Sequence, residues 1–516
     1  MDRYDLLVIG GGAAGITALK TATKLGAKVA LVQELRSGPP GGVRGIMPAM
    51  IRPGHAALAA ILLAALAAGC TVTPFTEPFA APSASRTPTS AVTVIPRPAG
   101  SDEDLPPPTR EVLGNGLRLI IQDHRAADIV AVYLWVGVGV RHERPAGLGY
   151  AHFQEHMLFK GTDTFGPGHV DRAVEGVGGK SNAVTSFDYT TFYIVVPTEH
   201  MDTAIQLLHD MAFRSTFDPE EIKREREVIF EEARIEADNP RTAIIRQLYG
   251  LVFGDNPYGF PVLGTPETMN AATRDRLLAF NKQYYSPENM SVVVVGPVDP
   301  AAVRASVRRT FGRVPAAGFR PNPAPAPPPL TQRISRDVER PEQQAVLALG
   351  WQAPRSDDPD GFAIDLLANI LAATESSRLA VLLRDRERLV SGITMTYAAL
   401  QGGGILSLRA ELEAADLEKV ERMVLEEIGR IQAEGVTEDE RRLAVTKAES
   451  EHAFQIETSE GLAYAYGIAE TTWKLEEELR TLERLRAVTR EQIQDVARRY
   501  LSRTVYARLA FLPKKK

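Results

Sequence analysis

An α+β fold in two related halves is the fold class that the sequence predicts, each half being an antiparallel-rich sheet with helices packed on one face. β-rich runs such as IVAVYLWVGVGV at 129–140 are followed by long helical runs. A faint repeat indicates the two halves: YYS at 284–286 precedes SVVVVG, YLS at 500–502 precedes VYARLAFL, and IVAVYLWVGVGV has a counterpart in AVLALGWQAP. Between the halves, PNPAPAPPPL forms a proline-rich linker that favours an extended conformation.

A βαβ fragment is predicted at the N-terminus, with strands at 4–9 and 28–32, a helix at 13–25, and Gly10, Gly12 and Gly15 at the first junction. Such glycines allow a tight turn, close approach to a pyrophosphate and helix packing. The stretch resembles the start of the flavoprotein disulfide reductases, which continue with a redox-active cysteine pair that this chain lacks. One βαβ unit cannot enclose a cofactor. We therefore interpret the motif as a non-functional fragment and residues 1–46 as an upstream extension or fusion.

Residues 47–70 have the pattern of a secretory signal. Arg52 precedes HAALAAILLAALAAGC, whose apolar run is shorter than the ~20 residues that span a bilayer. The end, LAAGC, resembles a bacterial lipoprotein cleavage box, although its leucine lies one place further from the cysteine than usual; the alternative is an Ala-rich buried helix with an incidental cysteine. The prediction is a periplasmic protein held to the membrane only by lipidated Cys70, or a cytoplasmic one if residues 1–46 are translated and block export.

The amino-acid composition argues against several classes of partner and of structural site. With 24% charged residues and a net charge of −6, nothing indicates a nucleic-acid partner or an anionic membrane surface. A single cysteine excludes an internal disulfide framework and a cysteine-based structural zinc site. Residues 71–108, rich in Pro, Ser, Thr and Ala, are predicted to be a disordered tether. The globular domains are predicted at 109–318 and 337–516, with the linker at 319–336.

The candidate catalytic motif is H-x-x-E-H, formed by His152, Glu155 and His156. On a helix, residues four apart share a face, so both imidazoles can reach one metal ion, with Glu155 close to a water at its open position. Two imidazoles suit Zn²⁺, and a catalytic zinc needs a third protein ligand from elsewhere. This order is the inverzincin motif. The alternative is a helix that carries two histidines by chance.

Downstream, the helical run EREVIFEE places Glu225 and Glu232 two turns apart on one face. This arrangement closely resembles the pitrilysin/insulinase family of metallopeptidases, which includes the mitochondrial processing peptidase. That family pairs H-x-x-E-H with a glutamate about 76 residues later. The resemblance, which covers residues 109–516, implies that Glu232 is the third zinc ligand and Glu225 a support. For the other glutamates of this helix we favour a solvated, salt-bridged face.

The resemblance also implies a substrate strand and a chamber. Asn182-Ala183 resembles the family's edge strand, to which a peptide adds as an extra strand; an ordinary polar strand end is the alternative. DNPYGFPVLGTPETM at 255–269 resembles the loop after the ligand helix. Two bowl-shaped halves facing each other would enclose a chamber, with one Zn²⁺ per chain and a peptide as substrate.

The sequence departs from the family pattern at a second pair of residues. Active single-chain members carry an arginine and, seven residues on, a tyrosine that position substrate and stabilise the oxyanion. Here Arg384 is retained, but Ser391 stands in place of the tyrosine. Tyr397 lies six residues further along a strand, about 20 Å away, and cannot replace it. The chain is therefore predicted to be the metal-bearing subunit of a heterodimer whose homologous partner carries the arginine–tyrosine pair.

Three functions compete on the sequence alone. The favoured one is a zinc endopeptidase that hydrolyses peptides or unfolded segments. The second is a non-catalytic assembly subunit of the same family, against which the intact motif and the spacing of Glu232 argue. The third is a flavin oxidoreductase, which requires a cofactor domain that the chain lacks.

Overall fold

In a computed structural model, the described residues are 6–9, 29–32, 91–97 and 105–514. The chain divides into two units, Met1–Ser85 and Arg86–Lys516, each considered by itself. In the first, strand β1 (Leu6–Ile9) pairs in parallel with β2 (Val29–Val32), where the sequence predicts strands. The glycines of the N-terminal motif, the apolar segment ending at Cys70 and residues 71–90 lie outside the described residues. Within the described part of the chain, no helix is long and apolar enough to cross a bilayer.

A seven-stranded sheet forms the N-terminal half of the second unit. Its strands are β3 Val92–Val94, β4 Thr109–Val112, β5 Arg118–Asp123, β6 Ile129–Val136, β7 Lys180–Thr185, β8 Thr190–Pro197 and β9 Met290–Gly296. The order is β3-β4-β5-β9-β6-β8-β7. Strands β5 and β9 are parallel, and all other neighbours are antiparallel.

Strand β3 corrects the tether that composition predicts over 71–108. Val92, Thr93 and Val94 pair with β4, and Ile95 directly after them is only 1% exposed. A β-branched run followed by an apolar anchor joins the sheet edge in spite of the surrounding prolines and serines. The globular body therefore starts before Thr109.

A five-stranded sheet forms the C-terminal half. Its strands are β10 Ile334–Arg340, β11 Ala345–Ala353, β12 Val390–Ala398, β13 Gly404–Leu412 and β14 Ala507–Pro513. The order β10-β14-β11-β13-β12 repeats β5-β9-β6-β8-β7 strand for strand, including one parallel pair, β10 with β14. The predicted fold class of two related halves is thus confirmed. β10 begins at Ile334, inside the predicted linker.

Helices pack against the sheets of both halves. In the N-terminal half they are α1 Tyr150–Met157, α2 His169–Glu175, α3 Met201–Arg214, α4 Pro219–Asp238, α5 Pro240–Phe253, α6 Pro266–Asn270, α7 Arg274–Tyr284 and α8 Pro300–Arg309. In the C-terminal half they are α9 Gly361–Ala368, α10 Leu417–Glu434, α11 Glu438–Ile456, α12 Ser459–Thr472, α13 Leu475–Glu478, α14 Thr481–Ala487 and α15 Arg490–Tyr500. Two π-helical segments are Asn369–Ala373 and Ala380–Arg386.

Each half also lends one helix to the outer face of the other half's sheet. Helix α5 buries Leu248 and Val252 against β11 and β14 of the C-terminal sheet. Reciprocally, α12 buries Leu462 and Tyr466 against β6 and β9 of the N-terminal sheet. Burying each such side chain contributes roughly 1.5–3 kcal/mol. The exchange therefore binds the two halves into one packed body.

The closest approach in this exchange is that of Gly467 on α12 to Trp135 on β6, because a Cβ on Gly467 would lie 1.8 Å from the indole nitrogen. We expect Gly467→Ala to lower the free energy of unfolding by about 1–3 kcal/mol, since overpacking outweighs the ~1 kcal/mol that alanine gains over glycine in a helix. Urea unfolding measures this. Gly166→Ala is the control, because its Cβ would meet nothing within 4 Å; equal stability of Gly467→Ala and the wild type would contradict the close contact.

Candidate metal centre

Helix α1 carries the H-x-x-E-H residues, and its start is fixed by two features. Gly149 has φ 86°, and a Cβ there would lie 2.6 Å from Met269 Cε and 2.8 Å from Gly264, so only glycine fits. Glu143 then accepts hydrogen bonds from the N–H groups of Gly149 at 2.7 Å and Ala151 at 2.6 Å. A carboxylate at a helix N-terminus is stabilising, and it sets the position of α1 just ahead of the first histidine.

Helix α4 supplies the two glutamates. Asp218 caps it by accepting the N–H of Glu220 at 2.8 Å, and Pro219 occupies its first position. Its buried residues are Ile222, Glu225 and Ile229. Glu232 continues their three- and four-residue spacing, so the helix face that enters the core also points both carboxylates toward α1.

Three side chains that the sequence singles out converge between α1 and α4. Glu232 Oε2 lies 3.7 Å from His152 Nε2 and 3.4 Å from His156 Nε2. One ligand atom from each residue lies within 4.8 Å of the others, and no second group of this kind exists among the described residues. The imidazole side chains are 11% and 13% exposed, whereas that of Glu232 is 41% exposed.

The spacing of these atoms fits a tetrahedral metal. Ligand atoms bound to Zn²⁺ at 2.0–2.2 Å in a tetrahedron lie about 3.3–3.6 Å apart. The 3.4 Å separation lies within that range, and the 3.7 Å separation needs only a small adjustment to reach it. Two imidazoles and one carboxylate form the donor set of a catalytic site that keeps a fourth position open. In addition, His152 Nδ1 is buried and has no hydrogen-bond partner among the described residues.

Glu225 contacts the other side of His156. Its Oε2 lies 3.0 Å from His156 Nδ1, and its Oε1 pairs with Lys160 Nζ at 2.9 Å. A carboxylate in this place fixes the ring orientation and turns Nε2 toward Glu232. The sequence indicates this role for Glu225 but gives no signal for Lys160, which lies one helical turn after His156.

Glu155 is held by a residue that sequence reasoning missed. The hydroxyl of Thr185, the last residue of β7, donates to Glu155 Oε2 at 2.5 Å. This bond fixes one carboxylate oxygen and leaves Oε1 available. One indication was present in the sequence: Thr185 ends the KSNAVT segment, in which Asn182 and Ala183 are the predicted substrate-binding residues.

Burial and charge perturb the titration of all four groups. Burial lowers the pKa of His152 to about 4, and the neighbouring His156 adds to the effect. Burial also disfavours the charged form of His156, but the carboxylates of Glu225 and Glu232 outweigh it and raise the pKa to about 9. The contact with His156 lowers the pKa of Glu232. Burial raises the pKa of Glu155, and the Thr185 hydroxyl opposes this. His156 and the α4 carboxylates thus favour each other's charged forms.

The remaining predicted residues lie in two other places. Asn182 and Ala183 lie on β7, the edge strand beside the metal centre, with Asn182 exposed and Ala183 6% exposed. Arg384 is in the π-helical segment Ala380–Arg386 and pairs with Glu375 and Asp385 instead of approaching the cluster. Ser391 is exposed on β12.

Tyr397, the residue considered as a substitute for the missing tyrosine, is already engaged. Its hydroxyl donates to the carbonyl oxygen of Pro354 at 2.8 Å. The geometry agrees with its exclusion on the basis of distance along the strand.

Comparison with protein families places both halves. Residues 118–266 match the model of the insulinase family, peptidase family M16, and residues 271–447 match the model described as the peptidase M16 inactive domain. An uncharacterized zinc protease of Mycobacterium tuberculosis is 31% identical over 77% of this chain and 91% of its own length. The chain belongs to the insulinase family. The uncharacterized zinc protease YmxG of Bacillus subtilis is another relative, 30% identical over 63% of this chain and 79% of that protein.

Solved structures of this family share the fold. A protease from Helicobacter pylori superposes with a TM-score of 0.76 at 23% identity, covering 79% of this chain and 100% of that one. The periplasmic protease PqqL of Escherichia coli superposes with a TM-score of 0.66 at 20% identity, covering 81% of this chain and 48% of PqqL.

The contact between Glu225 and His156 generates a metal-binding prediction. We expect Glu225→Gln to weaken Zn²⁺ affinity 10–100-fold, because a neutral amide orients the imidazole less firmly. Competition with a chromophoric chelator measures the affinity. Glu227→Gln, an exposed change on the same helix, is the matched control. Equal affinities of the two variants would leave Glu225 with no part in metal binding.

Proposed function

We propose that this insulinase-family chain is a zinc-dependent endopeptidase that hydrolyses peptides or unfolded protein segments, and that it is the metal-bearing subunit of a heterodimer. The observation that carries the proposal is the convergence of His152, His156 and Glu232 beside the half-buried carboxylate of Glu155, which the Thr185 hydroxyl holds in place. The names of the relatives as zinc proteases support the choice of Zn²⁺.

The residues of the chain divide the chemistry among them. His152, His156 and Glu232 would hold the ion, which when bound supplies Lewis acidity and makes water nucleophilic near neutral pH. Glu155 Oε1, left available by the Thr185 bond to Oε2, takes the proton of the attacking water. The same carboxyl group then delivers that proton to the leaving amine.

Strand β7 would receive the substrate. Among the described strands it pairs only with β8, so the main-chain groups on its other side are open to an added strand. Its last residue, Thr185, holds Glu155, so a peptide aligned along β7 would run past the catalytic base. Main-chain pairing at Asn182 and Ala183 would give weak side-chain specificity.

A second subunit would complete the site. The exchanged helices α5 and α12 are each buried against one sheet, while the 41% exposure of Glu232 leaves the metal centre open on one side. A chamber over this opening requires a further chain. Ser391 also favours a partner subunit. It stands in place of the family's tyrosine, and a partner would supply the arginine–tyrosine pair. The signal-like segment that ends at Cys70 supports a periplasmic, lipid-anchored location.

Glu155→Gln tests the catalytic assignment. We expect it to bind Zn²⁺ like the wild type and to lose at least 10²-fold in kcat, because the amide cannot accept the proton of water. Hydrolysis of a fluorogenic peptide and metal content are both measured. Glu231→Gln, an exposed change on α4, is the control. Loss of zinc from Glu155→Gln would make this residue structural, and metal-free wild type that still cleaves would exclude a metallopeptidase.

If the chain is one subunit of a heterodimer, it should hydrolyse peptides slowly when it is alone. We expect a homologous subunit with an arginine–tyrosine pair to raise peptide hydrolysis about 10²-fold, the usual contribution of an oxyanion donor. The same partner with its tyrosine changed to phenylalanine is the control and should lack this effect. Full activity of the purified chain alone, with no rise on mixing, would rule out the heterodimer and leave the zinc peptidase assignment standing.

A further inference from the structure

A cavity of about 590 Å³ lies in the C-terminal half, and no residue of the metal centre lines it. Its walls are the loop from β11 into α9, the end of β12, the end of α12 and the helices α13 to α15. By the repeat of strand order, α9 follows β11 as α1 follows β6. The cavity therefore adjoins the counterpart of the metal-binding helix, whose sequence GFAIDLLA has no histidine.

The acidic groups of the cavity are incompletely neutralised. Two carboxylates have cationic partners: Arg484 donates to Glu477 at 2.9 Å, and Arg355 donates to Asp357 at 2.9 Å. Asp365, on the first turns of α9, has no hydrogen bond or ion pair from its carboxylate within the described residues, although it faces the cavity.

Asp358 adds a second such carboxylate. Its only contact among the described residues is the N–H of Asp360, which donates to Oδ1 at 2.9 Å. Asp365 is exposed to solvent, and the like charge of Glu451 lies close enough to disfavour its ionised form. A bound cation would relieve this repulsion. Lys474, also on the wall, is exposed to solvent.

Aromatic rings form the rest of the wall near these carboxylates. The rings of Phe362 and Trp473 have centroids 6.5 Å apart at an interplanar angle of 57°. Tyr397 lines the same space, with its hydroxyl already bound to Pro354. Aromatic faces together with carboxylates attract organic cations, and the volume suits a small-molecule ligand.

We propose that this cavity is a second ligand site, separate from the metal centre, that takes a primary ammonium group on an aromatic or apolar body. The ammonium would lie at Asp365 and Asp358, and the body would pack against the rings of Phe362 and Trp473. A free amine and the amino terminus of a short peptide share this chemistry.

Trp473 provides a direct readout. The chain has three tryptophans, and Trp135 and Trp351 are 0% and 1% exposed, so ligand-dependent fluorescence reports on Trp473. The full chain, kept metal-free with EDTA so that peptidase chemistry is excluded, is titrated with phenethylamine and with its neutral analogue 2-phenylethanol. We expect a saturable change with phenethylamine and binding at least tenfold weaker for the alcohol. Phe-Gly-amide and its N-acetylated form repeat the comparison for a peptide amino terminus.

Substitutions locate the site. Asp365→Asn keeps side-chain size and should weaken phenethylamine binding at least tenfold, whereas Asp255→Asn, in an exposed loop, should not change it. If Asp365→Asn does not fold, as judged by circular dichroism, Asp358→Asn serves, since its amide oxygen still accepts the Asp360 N–H. Equal binding of the amine and the alcohol, or an unchanged affinity in the folded aspartate variants, would overturn the proposal. Neither outcome bears on the metal centre.

Discussion

The position of Glu232, the proposed third ligand, depends on packing between the two halves. Helix α4, which carries Glu232, joins α5 through Asn239, whose side chain accepts the N–H of Arg241 at 3.0 Å and starts the second helix. Helix α5 is buried on the sheet of the other half. Arg246 on α5 pairs with Glu236 on α4 at 2.8 Å, and Arg340 of β10 donates to the carbonyl of Ala237 at 2.8 Å. The C-terminal sheet thus helps to hold the end of the helix that carries this carboxylate.

This arrangement gives the half without a metal motif a structural part in the metal site. A tetrahedral centre tolerates errors of a few tenths of an ångström in ligand position. Helix α4 has 20 residues, and its buried positions, Ile222, Glu225 and Ile229, lie within the first eleven. The contacts with α5 and β10 hold the remaining, more exposed end. The C-terminal half also has a cavity of its own beside α9, the counterpart of α1.

Much of the fold follows from sequence patterns. The repeated triplets before β9 and β14 mark strands that occupy equivalent positions in the two sheets, and the H-x-x-E-H spacing puts two imidazoles on one helix face. The convergence of Glu232 with them rested on a family spacing, since no local pattern relates residues 76 apart. The contact between Thr185 and Glu155 could not be predicted for the same reason, because the two residues are 30 positions apart and meet only in the folded chain. The packing of α5 and α12 on the sheet of the other half could not be predicted either, because the apolar pattern of an amphipathic helix does not show which sheet the helix covers.

The exchanged helices also determine how late in its synthesis the chain can complete its folding. Arg110 on β4 pairs with Glu470 on α12 at 2.8 Å, a contact that joins residues 360 positions apart. Until α12 has been made, the outer face of the N-terminal sheet, with Tyr133 and Trp135, has nothing to cover it among the elements that precede it. Closing such a long loop is slow, and an uncovered apolar sheet invites aggregation. A nascent polypeptide of this kind therefore needs a chaperone, or delayed folding, until nearly the last tenth of its length has been translated.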